Sequence, residues 1–176
     1  MASGNDDSQL YQDLQGFLMS DRVDVRKAAT EAILQIQHQE VHRHKLFEFD
    51  NGLLLQALIR NASYDEESTS SPLEAASIPA NALQALVYLS SHGTTANQCI
   101  DVLLDSNMIA RALEIVLSPV PSAKVTAPLQ ELWRSKVNYA MALIANLTRM
   151  EQGAVDMVGR TLPEEAVSSA DLSADA

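Results

Sequence analysis

The sequence predicts an all-α chain folded as an armadillo/HEAT-like α-solenoid, a right-handed superhelix of about three three-helix repeats. Three observations predict it. Apolar residues recur at helical spacing through most of the chain, and no stretch alternates apolar and polar for long. Three segments superimpose without gaps: AATEAILQI (28–36), NALQALVYL (81–89) and NYAMALIANL (138–147), at offsets of 53 and 58. A second element, DNGLLLQAL (50–58), matches DSNMIARAL (105–113) at an offset of 55.

In chain order, Leu10, Leu14, Phe17 and Leu18 share one helical face, and Ala29, Ala32, Ile33 and Ile36 share another. Asp21 is placed to cap the second of these helices, with Asp24 in its first turn facing the positive helix end. The aligned columns are Ala29, Ala82, Ala140, then Ile33, Leu86, Ile144, then Ile36, Leu89, Leu147. Alanine in the first column lets helix axes approach to about 8–10 Å, which Leu would prevent. Short helices fall at 40–49 and 94–104, so each unit reads long helix, short helix, medium helix. A unit of that kind cannot bury its own apolar face and must stack on a neighbour. The spacing exceeds the ~40–47 residues of armadillo or HEAT units. An acidic, Ser-rich insert at 63–79 and a Pro-rich linker at 118–128 account for the excess. The repeat domain spans 8–160, and 163–176 reads as a flexible acidic tail.

Formal net charge is −11, so a nucleic-acid phosphate backbone is repelled and none is expected as a partner. The cations Arg22, Arg26, Lys27, Arg43 and Lys45 alternate with Asp21, Asp24, Glu31, Glu40 and Glu48, the pattern of a solvated face. One cysteine, Cys99, admits no internal disulfide and fits a reducing compartment. MASGNDDSQ resembles neither a signal nor a transit peptide, and no apolar run approaches the ~18 residues of a membrane span. The expected location is the cytoplasm, with the nucleus left open, and no membrane contact.

DRVDVRKAATEAILQI (21–36) and NYAMALIANLTRMEQGAVDMV (138–158) are similar to the brain protein sixteen family, also called the Hgh homologue family. The resemblance covers about residues 9–160 and implies an armadillo-like fold. The family's members are about twice as long, so the chain corresponds to an N-terminal half. The resemblance also implies an adaptor role in chaperonin-assisted folding of translation elongation factor two, with that factor and the cytosolic chaperonin as partners.

Four residues are candidate groove contacts. Asn146 interrupts an apolar face, and its amide can satisfy both a peptide N–H and a peptide C=O. Its competing role is a bond to the neighbouring repeat. Arg149 lies one turn on, and Tyr88 occupies the equivalent position in the second long helix, as Gln35 does in the first. Trp133, the single tryptophan, lies beside Arg134 and Lys136, in the residue types that dominate binding hot spots. Its competing role is packing on the linker.

His38 and His42 stand four apart, a spacing that holds zinc on one helix, with His44 or Glu48 as a further ligand. Gln39 departs from the HExxH pattern, so no metal and no cofactor is expected. Cys99 lies on an apolar face and reads as an inert thiol. The favoured reading is a non-catalytic protein-interaction scaffold. Two alternatives are a metal-dependent enzyme using His38, His42 and Glu48, and a self-associating module whose open end exposes apolar surface. The oligomeric state is left open.

Overall fold

The computed structural model describes residues 4–63, 71–121 and 125–161. The described residues form α1 (Gly4–Leu18), α2 (Val23–Ile36), α3 (Glu40–Glu48), a 3-10 turn (Phe49–Gly52), α4 (Leu53–Ala62), α5 (Pro72–Ser91), α6 (Ala96–Asp105), α7 (Met108–Leu117), α8 (Ala127–Leu147) and α9 (Glu151–Thr161). There is no strand among the described residues. No helix among them is long and apolar enough to cross a membrane.

The three aligned segments lie in α2, α5 and α8. α5 packs on α2 along one side and on α8 along the other, while α2 and α8 make no extensive contact. The first column, Ala29, Ala82 and Ala140, is buried in all three helices. Small side chains recur where neighbouring helices close on one another. α4 packs on α5 as α7 packs on α8, so the medium helix of one unit supports the long helix of the next.

The shorter repeat carries a backbone signature. Asp50, Asn51 and Gly52 are left-handed in succession (φ 47, 55 and 84°), and Asn107 is left-handed at 59°. Gly52 and Asn107 are the aligned residues at offset 55 and hold the same place, immediately before α4 and before α7. Gly, Asn and Asp are the residues that adopt this region at least cost, so the polar turn is specified in both copies.

Several expectations are corrected. The inner face of α1 is Tyr11, Leu14 and Leu18, whereas Leu10 and Phe17 are 39% and 50% exposed. Tyr11 turns inward because its hydroxyl meets His42 Nδ1 at 2.6 Å and its ring lies 5.7 Å from Phe49. The residue before α2 is Arg22, in extended backbone with no side-chain cap, and not Asp21. Arg22 instead pairs with Asp24 at 2.6 Å.

The second half of the insert expected at 63–79 is not a linker. Residues 64–70, with Asp65, Glu66 and Glu67, lie outside the described residues, but 72–79 form the first two turns of α5. Pro72 sits at the helix start, where its missing N–H costs nothing. Pro79 lies inside the helix, and the run Ala75–Ala80 around it is buried. Burial of that run offsets the hydrogen bond that Pro79 cannot make. The Pro-rich linker ends at Thr126, and residues 122–124 lie outside the described residues, as does the tail 163–176.

α9 crosses the end of α8 at one close approach. A Cβ on Gly153 would fall on the Leu147 carbonyl, so only glycine permits the contact.

Candidate functional site

The C-terminal ends of α2, α5 and α8 come together with the turns that follow them. A helix end leaves carbonyls without partners, and here two of the three ends receive an arginine from elsewhere. Arg43, on α3, donates to Gln37 O at 3.2 Å and His38 O at 3.0 Å, beyond the end of α2. Arg149, just beyond α8, donates to Ser90 O at 2.8 Å, at the end of α5. Each places positive charge against a negative helix pole.

Asn146 binds α5. Its Nδ2 donates to Val87 O and to Ser90 Oγ, both at 3.0 Å. That nitrogen is therefore engaged by the neighbouring layer, the competing role the sequence left open for it. The same device recurs. Asn81 Nδ2 on α5 donates to Thr30 Oγ1 on α2 at 3.3 Å. Asn61, buried at the end of α4, donates to Leu18 O on α1 at 2.9 Å and to Ala57 O at 2.8 Å.

Tyr88 is half-buried at the centre of an aromatic and basic cluster. His92 stacks on its ring at 4.3 Å with an interplanar angle of 13°, and His38 meets it edge-on at 4.9 Å. The Arg43 guanidinium lies 5.7 Å from the ring centroid, and Nη1 donates to the Tyr88 hydroxyl at 3.4 Å. Gly93 (φ 86°) lets Arg43 pass, because a Cβ there would stand 3.1 Å from Arg43 Nε. His38 and His92 are exposed. The result is a tyrosine flanked by two imidazoles and one guanidinium on a chain of net charge −11.

Trp133 does not belong to this cluster. It lies 13 residues before Asn146 on α8, about 20 Å along the helix axis. Its Nε1 donates to Ser118 Oγ at 3.4 Å. With Pro72, Pro121, Val125, Leu129 and Lys136 it lines an apolar cleft of about 260 Å³. Trp133 packs against the segment joining α7 to α8, at a distance from Tyr88.

The proposed zinc spacing fails for a local reason. α2 ends at Ile36 and α3 begins at Glu40, so His38 lies in the turn and not on the helix of His42. His38 faces Tyr88, His42 faces Tyr11, and His44 pairs with Glu48 at 3.0 Å. Among the described residues no three His, Cys, Asp or Glu gather as metal ligands. Cys99 is buried, and burial pushes its thiol up to about 12.

The sequence marks Tyr88 as a candidate but not the residues that surround it. The available signal was a histidine just beyond each of two helix ends: His38 two residues after Ile36, and His92 directly after Ser91. These features define an all-helical protein with a polar, aromatic edge where its stacked long helices end. Compared with known proteins, the chain matches no family model, no curated protein and no solved structure.

Proposed function

We propose that this chain is an armadillo-like scaffold that binds another protein along the edge formed by the ends of α2, α5 and α8. The observation that carries the reading is the Tyr88 cluster. A tyrosine packed by His38, His92 and Arg43 loses little entropy on binding, and the half-buried Arg43 guanidinium beside it favours an acidic segment of the partner. Tyr and Arg are the residue types that dominate binding hot spots. Asn146 and Arg149 act mainly as interlayer staples that fix the spacing of the surface, with the exposed part of Arg149 extending it.

The resemblance to the brain protein sixteen family supplies a definite partner to test, elongation factor two, presented to the cytosolic chaperonin in the cytoplasm. Titration of purified elongation factor two into this protein, followed by calorimetry, tests both points. Tyr88→Ala and His92→Ala are expected to weaken binding at least about tenfold, the loss of one hot-spot contact, with helicity unchanged. Absence of binding by the unaltered chain removes the elongation-factor role. Binding that ignores both substitutions removes the proposed edge.

A further inference from the structure

The remaining cations converge elsewhere. Three adjoining hollows, of about 340, 300 and 500 Å³, all border Ser63. Arg26 and Arg60 line one, Arg60 and Arg111 the second, and Arg111 and Lys136 the third. Four of the 12 Lys and Arg in an acidic chain therefore surround one exposed hydroxyl. Two carboxylates, Asp21 and Glu114, share the same hollows. Arg111, on α7, already donates to Ser63 Oγ at 3.0 Å. Among the described residues, neither Arg60 nor Arg111 pairs with a carboxylate.

We infer that Ser63 is a phosphorylation site, and that its phosphate is held between Arg60 and Arg111 so as to tie α4 of one unit to α7 of the next. In the modification, Ser63 Oγ attacks the γ-phosphorus of ATP. The new Oγ–P bond replaces the bond to the β-phosphate oxygen, ADP leaves, and the hydroxyl proton passes to the kinase base. The hydroxyl that now accepts from Arg111 becomes an ester oxygen, and three acceptor oxygens sharing up to two negative charges enter space lined by guanidiniums. Arginine and phosphate pair through short, often bidentate, charge-assisted hydrogen bonds. The end of α4 opposes the added charge, since Ser63 follows its last turn. That pole carries about half an elementary charge, against the full charges of Arg60 and Arg111. The sequence after Ser63, Tyr64-Asp65-Glu66-Glu67, suits a serine kinase that selects carboxylates downstream of its target.

The test uses the full chain. Incubation with ATP and an acidophilic serine kinase, followed by site mapping with mass spectrometry, is expected to place phosphate on Ser63. Protein carrying phosphoserine at position 63 is then titrated by phosphorus NMR. The second ionisation is expected about one pH unit below that of free phosphoserine, and to return toward it in Arg111→Gln and, separately, in Arg60→Gln. Two results overturn the inference. One is modification confined to Ser68, Thr69 or Ser70. The other is a phosphate at Ser63 that titrates like free phosphoserine whether or not Arg60 and Arg111 are present.

Discussion

α5 and α8 are nearly the same length, 20 and 21 residues, and carry the same column of residues, yet α5 buries twelve of its residues and α8 three. The difference lies in their neighbours. α5 has α2 on one side, α8 on the other and α4 and α6 against it, whereas α8 has α5, α6 and α7 and no layer beyond it among the described residues. Burial is thus decided by place in the stack and not by the pattern on the helix. Aligned positions become matched probes of that difference.

The widest gap is expected at Leu83 and Met141, which align at offset 58 and are 0% and 50% exposed. Leu83→Glu forces a carboxylate into the central layer and should leave no cooperatively folded protein. Met141→Glu should change stability by no more than about 0.5 kcal/mol. Chemical denaturation of the two variants measures both. Equal losses would mean that α8 is covered as fully as α5.

A smaller contrast is expected one turn further on. Leu86 is fully buried and Ile144 only partly so. Leu86→Ala should cost about 3–5 kcal/mol and Ile144→Ala about 1–2 kcal/mol, since a partly exposed site leaves less of a cavity.

The repeat was legible because its cause is local. Ala29, Ala82 and Ala140 mark where helices close together, and the left-handed Gly52 and Asn107 mark where they begin, so both features are written in residue type. The start of α5 was not legible, because Pro72 and Pro79 carry the local rule for a loop while burial of Ala75–Ala80 decides for a helix. Asn146 was legible as an exception on an apolar face. Its partners, Val87 O and Ser90 Oγ, lie 59 and 56 residues away, beyond any local pattern. His38 and His42 misled because i, i+4 spacing is meaningful only on one continuous helix, and the turn after Ile36 breaks it.

The amide staples sharpen the comparison at lower amplitude. Asn146 makes two bonds to α5, whereas Asn81 makes one longer bond to α2. Asn146→Ala should cost about 1–3 kcal/mol and Asn81→Ala about 0.5–1.5 kcal/mol, by thermal denaturation.

An effect absent at neutral pH concerns Cys99, which is buried in α6 of the middle unit. Its thiol ionises at about 12 in the fold, against an ordinary value of 9.0. The unfolded chain therefore loses the proton first. Stability is unaffected by this group below pH 9 and falls as pH rises from 9 toward 12. Cys99→Ala should flatten that part of the alkaline stability profile. An unchanged profile would mean that the thiol is not buried.

The stacking order itself is tested most directly by a distance across it. Nitroxides at Gln35→Cys and Ala145→Cys, both exposed positions, on a Cys99→Ala background, report the separation of α2 and α8 by pulsed electron resonance. With α5 between them the separation should centre near 20 Å, two interaxial spacings of about 8–10 Å. A distribution centred below about 12 Å would bring α2 and α8 into contact and contradict the layered arrangement.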